Sequence, residues 1–159
     1  MSNIKSPSEP KIFRIGIVGH GFVGQAAEYA FTHPLVQFRL YDPKYNRSID
    51  ELKEMDAEDH PDCFFICTPT PSNDDGSVDS SIVETSVIKC LNYTEATVIV
   101  KSTITPDVIH RLYSAMVPEQ RDRFVYNPEF LTEKNAKADF VSAKFHVIGG
   151  MPSAIDRKS

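Results

Sequence analysis

One short loop constrains this chain more than anything else in it. Gly19-His20-Gly21-Phe22-Val23-Gly24 lies between an apolar, β-branched run and a helix-like stretch. The chain holds seven glycines, and four of them fall between positions 16 and 24, so the cluster is not a by-product of a glycine-rich composition. Alone, a GxGxxG spacing also describes surface turns. Here Ile12 to Val18 reads as a strand directly before it, and Phe22 to Thr32 as a helix directly after it. In that setting Gly19 permits the tight turn, Gly21 lets a pyrophosphate approach the backbone, and Gly24 lets helix and strand pack closely. Val23, Ala26, Ala27, Ala30 and Phe31 share one helix face, so the helix has a side to lay on a sheet. Its free N–H groups and dipole then face the phosphates. His20 reads as filler within the loop rather than as an acid or base.

The rest of the chain repeats strand and helix in turn. Strands are expected at Gln37 to Tyr41, Cys63 to Cys67, Thr97 to Val100, Arg123 to Tyr126 and Phe145 to Ile148. Between them lie a short helix at Asp50 to Met55, a longer one at Asp79 to Leu91, and one opened by Thr105-Pro106-Asp107. This alternation predicts an α/β fold: a doubly wound, Rossmann-type, mostly parallel sheet of about six strands. A disordered lead-in over residues 1–10, one domain over 11–150 and a polar tail over 151–159 are the expected divisions.

Composition excludes several function classes. Lys plus Arg is 17 against 22 for Asp plus Glu, a net charge of −5, which does not supply the basic footprint of a nucleic-acid binder. No apolar run approaches the ~18 residues of a membrane span. The three cysteines, an odd number with no leader sequence, predict reduced thiols and a cytoplasmic setting. Cys63 and Cys67 sit in a buried-strand run without further ligands at zinc spacing, so no metal is expected.

Asp42 ends the second strand, 18 residues beyond Gly24, close to the ~20 expected of the acid that binds an adenosine ribose. A carboxylate there accepts both ribose hydroxyls and repels a 2′-phosphate, which favours NAD over NADP. Lys44 and Arg47 soften that preference. Equally, Asp42 can open a turn with Pro43. Three polar clusters follow the later strands: Thr68-Pro69-Thr70, Lys101-Ser102-Thr103, and Asn127-Pro128-Glu129-Phe130-Leu131-Thr132-Glu133. In open α/β sheets ligands bind beyond the carboxyl ends of the strands. Each cluster taken singly is also an ordinary loop, the bland alternative for Glu129 is stabilising a helix amino end, and Lys101 either orients Glu129 or is a solvated strand-end lysine.

Taken in order, these segments together with Asp75-Gly76, Asp79, Pro106, Ala138-Asp139-Phe140 and Val147 to Gly150 resemble the amino-terminal domain of the UDP-glucose/GDP-mannose dehydrogenase family, on its UDP-glucose side. The resemblance implies an NAD-dependent oxidation of a nucleotide sugar's C6 alcohol to a carboxylate, by way of a cysteine thioester that water hydrolyses. Carried over, Gly19, His20, Gly21, Phe22, Val23, Gly24, Asp42 and Arg47 would bind NAD, with Thr68, Pro69, Thr70, Ser102, Thr103 and Glu133 lining it. Glu129 would do acid/base work, Thr103 would place the reacting oxygen or water, and Glu129, Phe130, Leu131, Thr132 and Glu133 would contact the sugar nucleotide.

Two departures from the family stand out. The stretch from Asp42 to Thr68 is shorter than usual and acidic over Ser48 to His60. The family's catalytic cysteine, with a lysine, an asparagine and an aspartate near the sugar, lies in a central helix and carboxy-terminal domain that follow the matched region. None of Cys63, Cys67 and Cys90 takes its place. The resemblance therefore implies a fragment, or a short form needing a partner chain. A non-catalytic NAD-binding regulatory module or decoy is the alternative.

Overall fold

The computed structural model describes residues 10–154. Its inner strands are apolar on both pleat faces, the pattern of a parallel sheet covered on each side. β1 (Phe13–Val18), β3 (Cys63–Ile66), β4 (Thr97–Val100) and β5 (Phe124–Tyr126) form the centre, with β2 (Val36–Tyr41) outside β1. Phe64, Ile66, Val98 and Val100 fill one face, against Val83 and Val87 of α2 (Ser81–Tyr93) and Leu112 of α3 (Pro106–Ala115). Ile15, Ile17, Phe65, Ile99 and Val125 fill the other, against Ala26 and Ala27 of α1 (Phe22–Ala30) and Phe140 of α5 (Ala136–Val141). Each fully buried side chain of this size contributes about 1.5–3 kcal/mol. α4 (Pro118–Arg121) is a single turn before β5.

The sheet order is β2-β1-β3-β4-β5-β6, with every pair parallel except the last. From β1 the chain steps to one side for β2, then crosses back past β1 to β3. The connections therefore diverge at the carboxyl ends of β1 and β3, and a doubly wound sheet opens a crevice at such a point. Thr105 stands at the N-cap position of α3 without a side-chain capping bond, and Pro106 takes the first helical position, as the sequence indicates.

Two expectations need correction. The last strand is not Phe145 to Ile148 but β6 (Gly149–Gly150), antiparallel to β5. β5 has three residues and offers β6 only Val125 and Tyr126, so the apolar run before it has no strand to pair with. Phe145 is accordingly 78% exposed. The single short helix expected after β2 is three 3-10 turns, Pro43–Tyr45, Ile49–Lys53 and Ala57–Asp59. Of the expected lead-in, residues 1–9 lie outside the described residues, as do 155–159 of the expected tail. Within that tail Ala154 is buried among the α1 and α5 packing, and Ser153 donates to Asp122 at 2.7 Å.

Candidate functional site

The glycine loop turns where β1 and β3 end. Gly19 has φ +85°, and a Cβ on it would lie 2.8 Å from the Cys67 carbonyl oxygen, so only glycine fits against the β3 end. A Cβ on Gly24 would lie 2.3 Å from the Gly19 carbonyl oxygen and 3.1 Å from Ile17 Cγ2, which locks helix to strand. Gly21 differs. A Cβ there would meet nothing within 4 Å, so its backbone faces open space. Gly21 also forms the amino cap of α1, and no side chain among the described residues caps that end. Its unsatisfied N–H groups are left for an anion.

Two adjoining cavities open at the loop. One, about 570 Å³, runs over Gly19 to Asp42, Asn46, Arg47, Ile82 and Ser86. The other, about 520 Å³, runs from Gly19 and Gly21 past Thr70, Ser102 and Thr103 to Glu129. Gly19, Asp42, Thr68 and Pro69 line both. Thr68 Oγ1 is buried at this junction with no partner among the described residues, an orphan hydroxyl where a ligand would pass. An uncapped helix end, an open glycine and an orphan hydroxyl in one elongated cleft fit a dinucleotide.

On the first side Asp42 does two jobs. Its Oδ2 accepts from the His20 N–H at 2.7 Å and its Oδ1 from the Lys44 N–H at 2.9 Å, capping the turn that Pro43 opens. Partial burial works against its charged form, but these two amides and the Lys44 charge outweigh that and hold the carboxyl below its ordinary value. The imidazole of His20 is a bridge, joined to Tyr45 Oη and Glu28 Oε2 at 2.7 Å each. Lys44 Nζ donates back to the His20 carbonyl.

The second side ends in a buried ion pair. Lys101 and Glu129 are each 4% exposed at the side chain and bond directly, and Lys101 Nζ also donates to Asn127 Oδ1 at 2.9 Å. The Phe140 ring lies 4.9 Å from the ammonium. Asn127 in turn donates to the Val147 carbonyl at 2.8 Å, tying β5 to the β6 approach. Of the two readings open for Lys101, the geometry selects contact with Glu129. Ser102 Oγ donates to the Thr68 carbonyl at 2.7 Å and so holds the β3 and β4 loops together.

The remaining candidates separate. Phe22, Val23 and Leu131 line the second cavity. Phe130 is 72% exposed, and Thr132 bonds Asp139 Oδ2 through its N–H at 3.0 Å and its hydroxyl at 2.7 Å. Glu133 faces a separate surface depression beside Phe22 and Gln25. Sequence reasoning passed over Tyr41, Asn46, Ile82 and Ser86 on the first cavity, since each belongs to an ordinary strand, turn or helix pattern. Among the described residues, no group of three or more His, Cys, Asp or Glu could hold a metal, and no helix is long and apolar enough to cross a membrane.

Fold and cleft together define a dinucleotide-binding α/β domain of the dehydrogenase type. The model of the UDP-glucose/GDP-mannose dehydrogenase family, NAD binding domain, matches residues 43–158, and the chain belongs to that family. The matched stretch begins after Asp42, so the glycine loop supports the assignment independently. The chain is 28% identical over 174 aligned positions to UDP-glucose 6-dehydrogenase AglM of Haloferax volcanii, covering 85% of this chain and 40% of that protein. It shares its fold with a GDP-mannose dehydrogenase from Pseudomonas aeruginosa solved as a ternary complex (TM-score 0.67, 23% identity, 92% of this chain and 43% of that one). A UDP-glucose dehydrogenase from Pyrobaculum islandicum gives TM-score 0.66 at 21% identity, over 97% of this chain and 44% of that one. The chain thus spans about two-fifths of the length of these relatives.

Proposed function

We propose that this chain is the coenzyme-binding part of a nucleotide-sugar 6-dehydrogenase, acting on a UDP-glucose-like substrate and taking its C6 alcohol to a carboxylate. One observation carries the reading: a buried carboxylate, Glu129, stands in the same cavity that starts at the open backbone of Gly21. Bound NAD would supply the hydride acceptor. The amino end of α1 and Gly21 hold its diphosphate, and Asp42 accepts the hydroxyls of its adenosine ribose. Thr68 Oγ1 offers its free hydroxyl where the two halves of the ligand meet. Thr103 and Glu129 act at the far end. Glu129 takes a proton from water as the oxygen attacks the acyl carbon of a thioester, the carbon–sulfur bond then breaking to release the thiolate, while Thr103 orients that water. The Lys101 ammonium and Asn127 keep the carboxylate in place.

The thiol that carries the thioester is not one of this chain's three. All are buried, Cys63 within β3, and burial pushes the Cys67 thiol up to about 12 despite the nearby Lys101 and raises the Cys90 thiol too, which disfavours a thiolate nucleophile at neutral pH. The nucleophile then comes from a further region, on the same polypeptide or on a partner chain.

Calorimetric titration tests the coenzyme assignment. The chain is expected to bind NAD, and Gly21→Ala is expected to weaken binding at least about tenfold with the thermal midpoint unchanged, because its methyl enters empty cleft. Equal binding by Gly21→Ala would remove the diphosphate from this loop. Incubated with NAD and UDP-glucose, the 159-residue chain is expected to form no uronate. Uronate formation would show that no further region is needed.

A further inference from the structure

Two cations lie close to the ribose-binding carboxylate, and an arginine near that position is what usually accommodates the 2′-phosphate of NADP. Here both are already committed. Lys44 Nζ donates to the His20 carbonyl and lies 4.9 Å from the Tyr45 ring centroid. Arg47 lines the first cavity beside Asp42, and its Nε donates to Glu51 Oε2 at 2.7 Å. The other carboxylate oxygen of Glu51 accepts from the Ser48 N–H at 2.8 Å, completing a capping box with Ser48. Glu51 is therefore fixed by main chain on one oxygen while it fastens the guanidinium with the other. Arg47 also lies over Tyr41, its Cζ 5.9 Å from the ring centroid, a second contact on the guanidinium.

We propose that Glu51 is a second specificity-determining residue for the coenzyme, holding and neutralising Arg47 so that the 2′-phosphate of NADP finds no free guanidinium. The inference rests on the coenzyme reading above. Asp42 repels the phosphate directly, whereas Glu51 acts through Arg47 and touches no ligand. An exposed pair of this kind adds little to stability. Its consequence is electrostatic: the cavity wall presents a matched charge pair where an unmatched arginine would otherwise attract a dianion.

Glu51→Gln isolates the charge, because Gln at the third position of a capping box still accepts from the Ser48 N–H. The control is Asp50→Asn in the same 3-10 turn, since Asp50 pairs with Lys89 and Lys53 rather than with Arg47. Calorimetric titration of both variants and the parent with NAD and with NADP is the test. Glu51→Gln is expected to strengthen NADP binding about threefold to tenfold, the size expected from removing one charge near a phosphate dianion at a solvated site, with NAD affinity altered less than about twofold. Asp50→Asn is expected to leave the NADP to NAD ratio where it was. A parent that binds NAD while Glu51→Gln leaves the ratio unchanged overturns the inference alone. Equal shifts in both variants also overturn it, since the effect is then the general field of the acidic turn. A parent that binds neither dinucleotide overturns the coenzyme reading and the inference together.

Discussion

The two ends of the cleft are built on opposite electrostatic plans. At the Asp42 end the charges sit on 3-10 turns near solvent, bonded to main-chain amides and to one another as partly exposed pairs. At the Glu129 end a single, almost fully buried ion pair lies on the inner wall of the cavity, between strand termini. Exposed pairs are screened and add little to folding, so they are free to tune which ligand binds. A buried pair is different, because losing either partner strands a charge in a low-dielectric interior. On the proposed reading, the choice between coenzymes falls at the first end, while the second holds a buried pair whose carboxylate also serves the chemistry.

Lys101→Met would break that contrast most strongly. It leaves Glu129 buried without its cation, and a loss of about 3–5 kcal/mol in urea unfolding is expected. Adding Glu129→Leu is expected to restore most of it. If Lys101→Met costs under about 1 kcal/mol, water reaches the pair and the two ends are alike.

Asp42→Asn probes the other end. Losing a charged acceptor for the His20 and Lys44 amides is expected to cost about 1–2 kcal/mol at neutral pH. The native carboxyl is held below its ordinary 3.8, so its contribution is complete above that value and is lost as pH falls through the lower folded one. The gap between parent and Asp42→Asn should thus close on acidification below 3.8, read from denaturant midpoints across pH. A gap that is constant with pH would show that shape, rather than charge, is what the turn requires.

Tyr41→Phe carries the smallest effect. The Tyr41 hydroxyl is buried without a partner among the described residues, and its burial, against the pull of Arg39 and Arg47, raises it to about 12. Removing it is expected to leave stability unchanged or raise it by up to about 1 kcal/mol, measured by thermal unfolding. A clear loss would reveal a hydrogen bond on this wall and make the ends more similar.

Much of this architecture was legible in the sequence, because local patterns fix local structure. Strand and helix order, the glycine loop and the reach to Asp42 all follow from spacing within a few tens of residues. Long-range facts were not. Nothing near Lys101 in the chain says that it is buried, since that depends on Glu129, 28 positions on and one strand over. His20 looked like filler because its bonds run to Tyr45 and Glu28, which only the folded loop brings near. The misplaced last strand has a similar cause: the apolar run Phe145 to Ile148 reads as a strand, but strand length is set by the partner, and β5 is too short to extend the pairing.

The contact between Gly19 and the Cys67 carbonyl has one more consequence. With backbone against backbone at the bottom of the crevice that floor cannot narrow, and the Cys67 N–H bond to the Val18 carbonyl at 2.7 Å resists its widening when a ligand enters. Any breathing on binding must come from the rims, the turns after β2 and the segment 129–133. Amide exchange should accordingly slow at the rims on loading and stay constant along the floor, like a vice with one jaw bolted down.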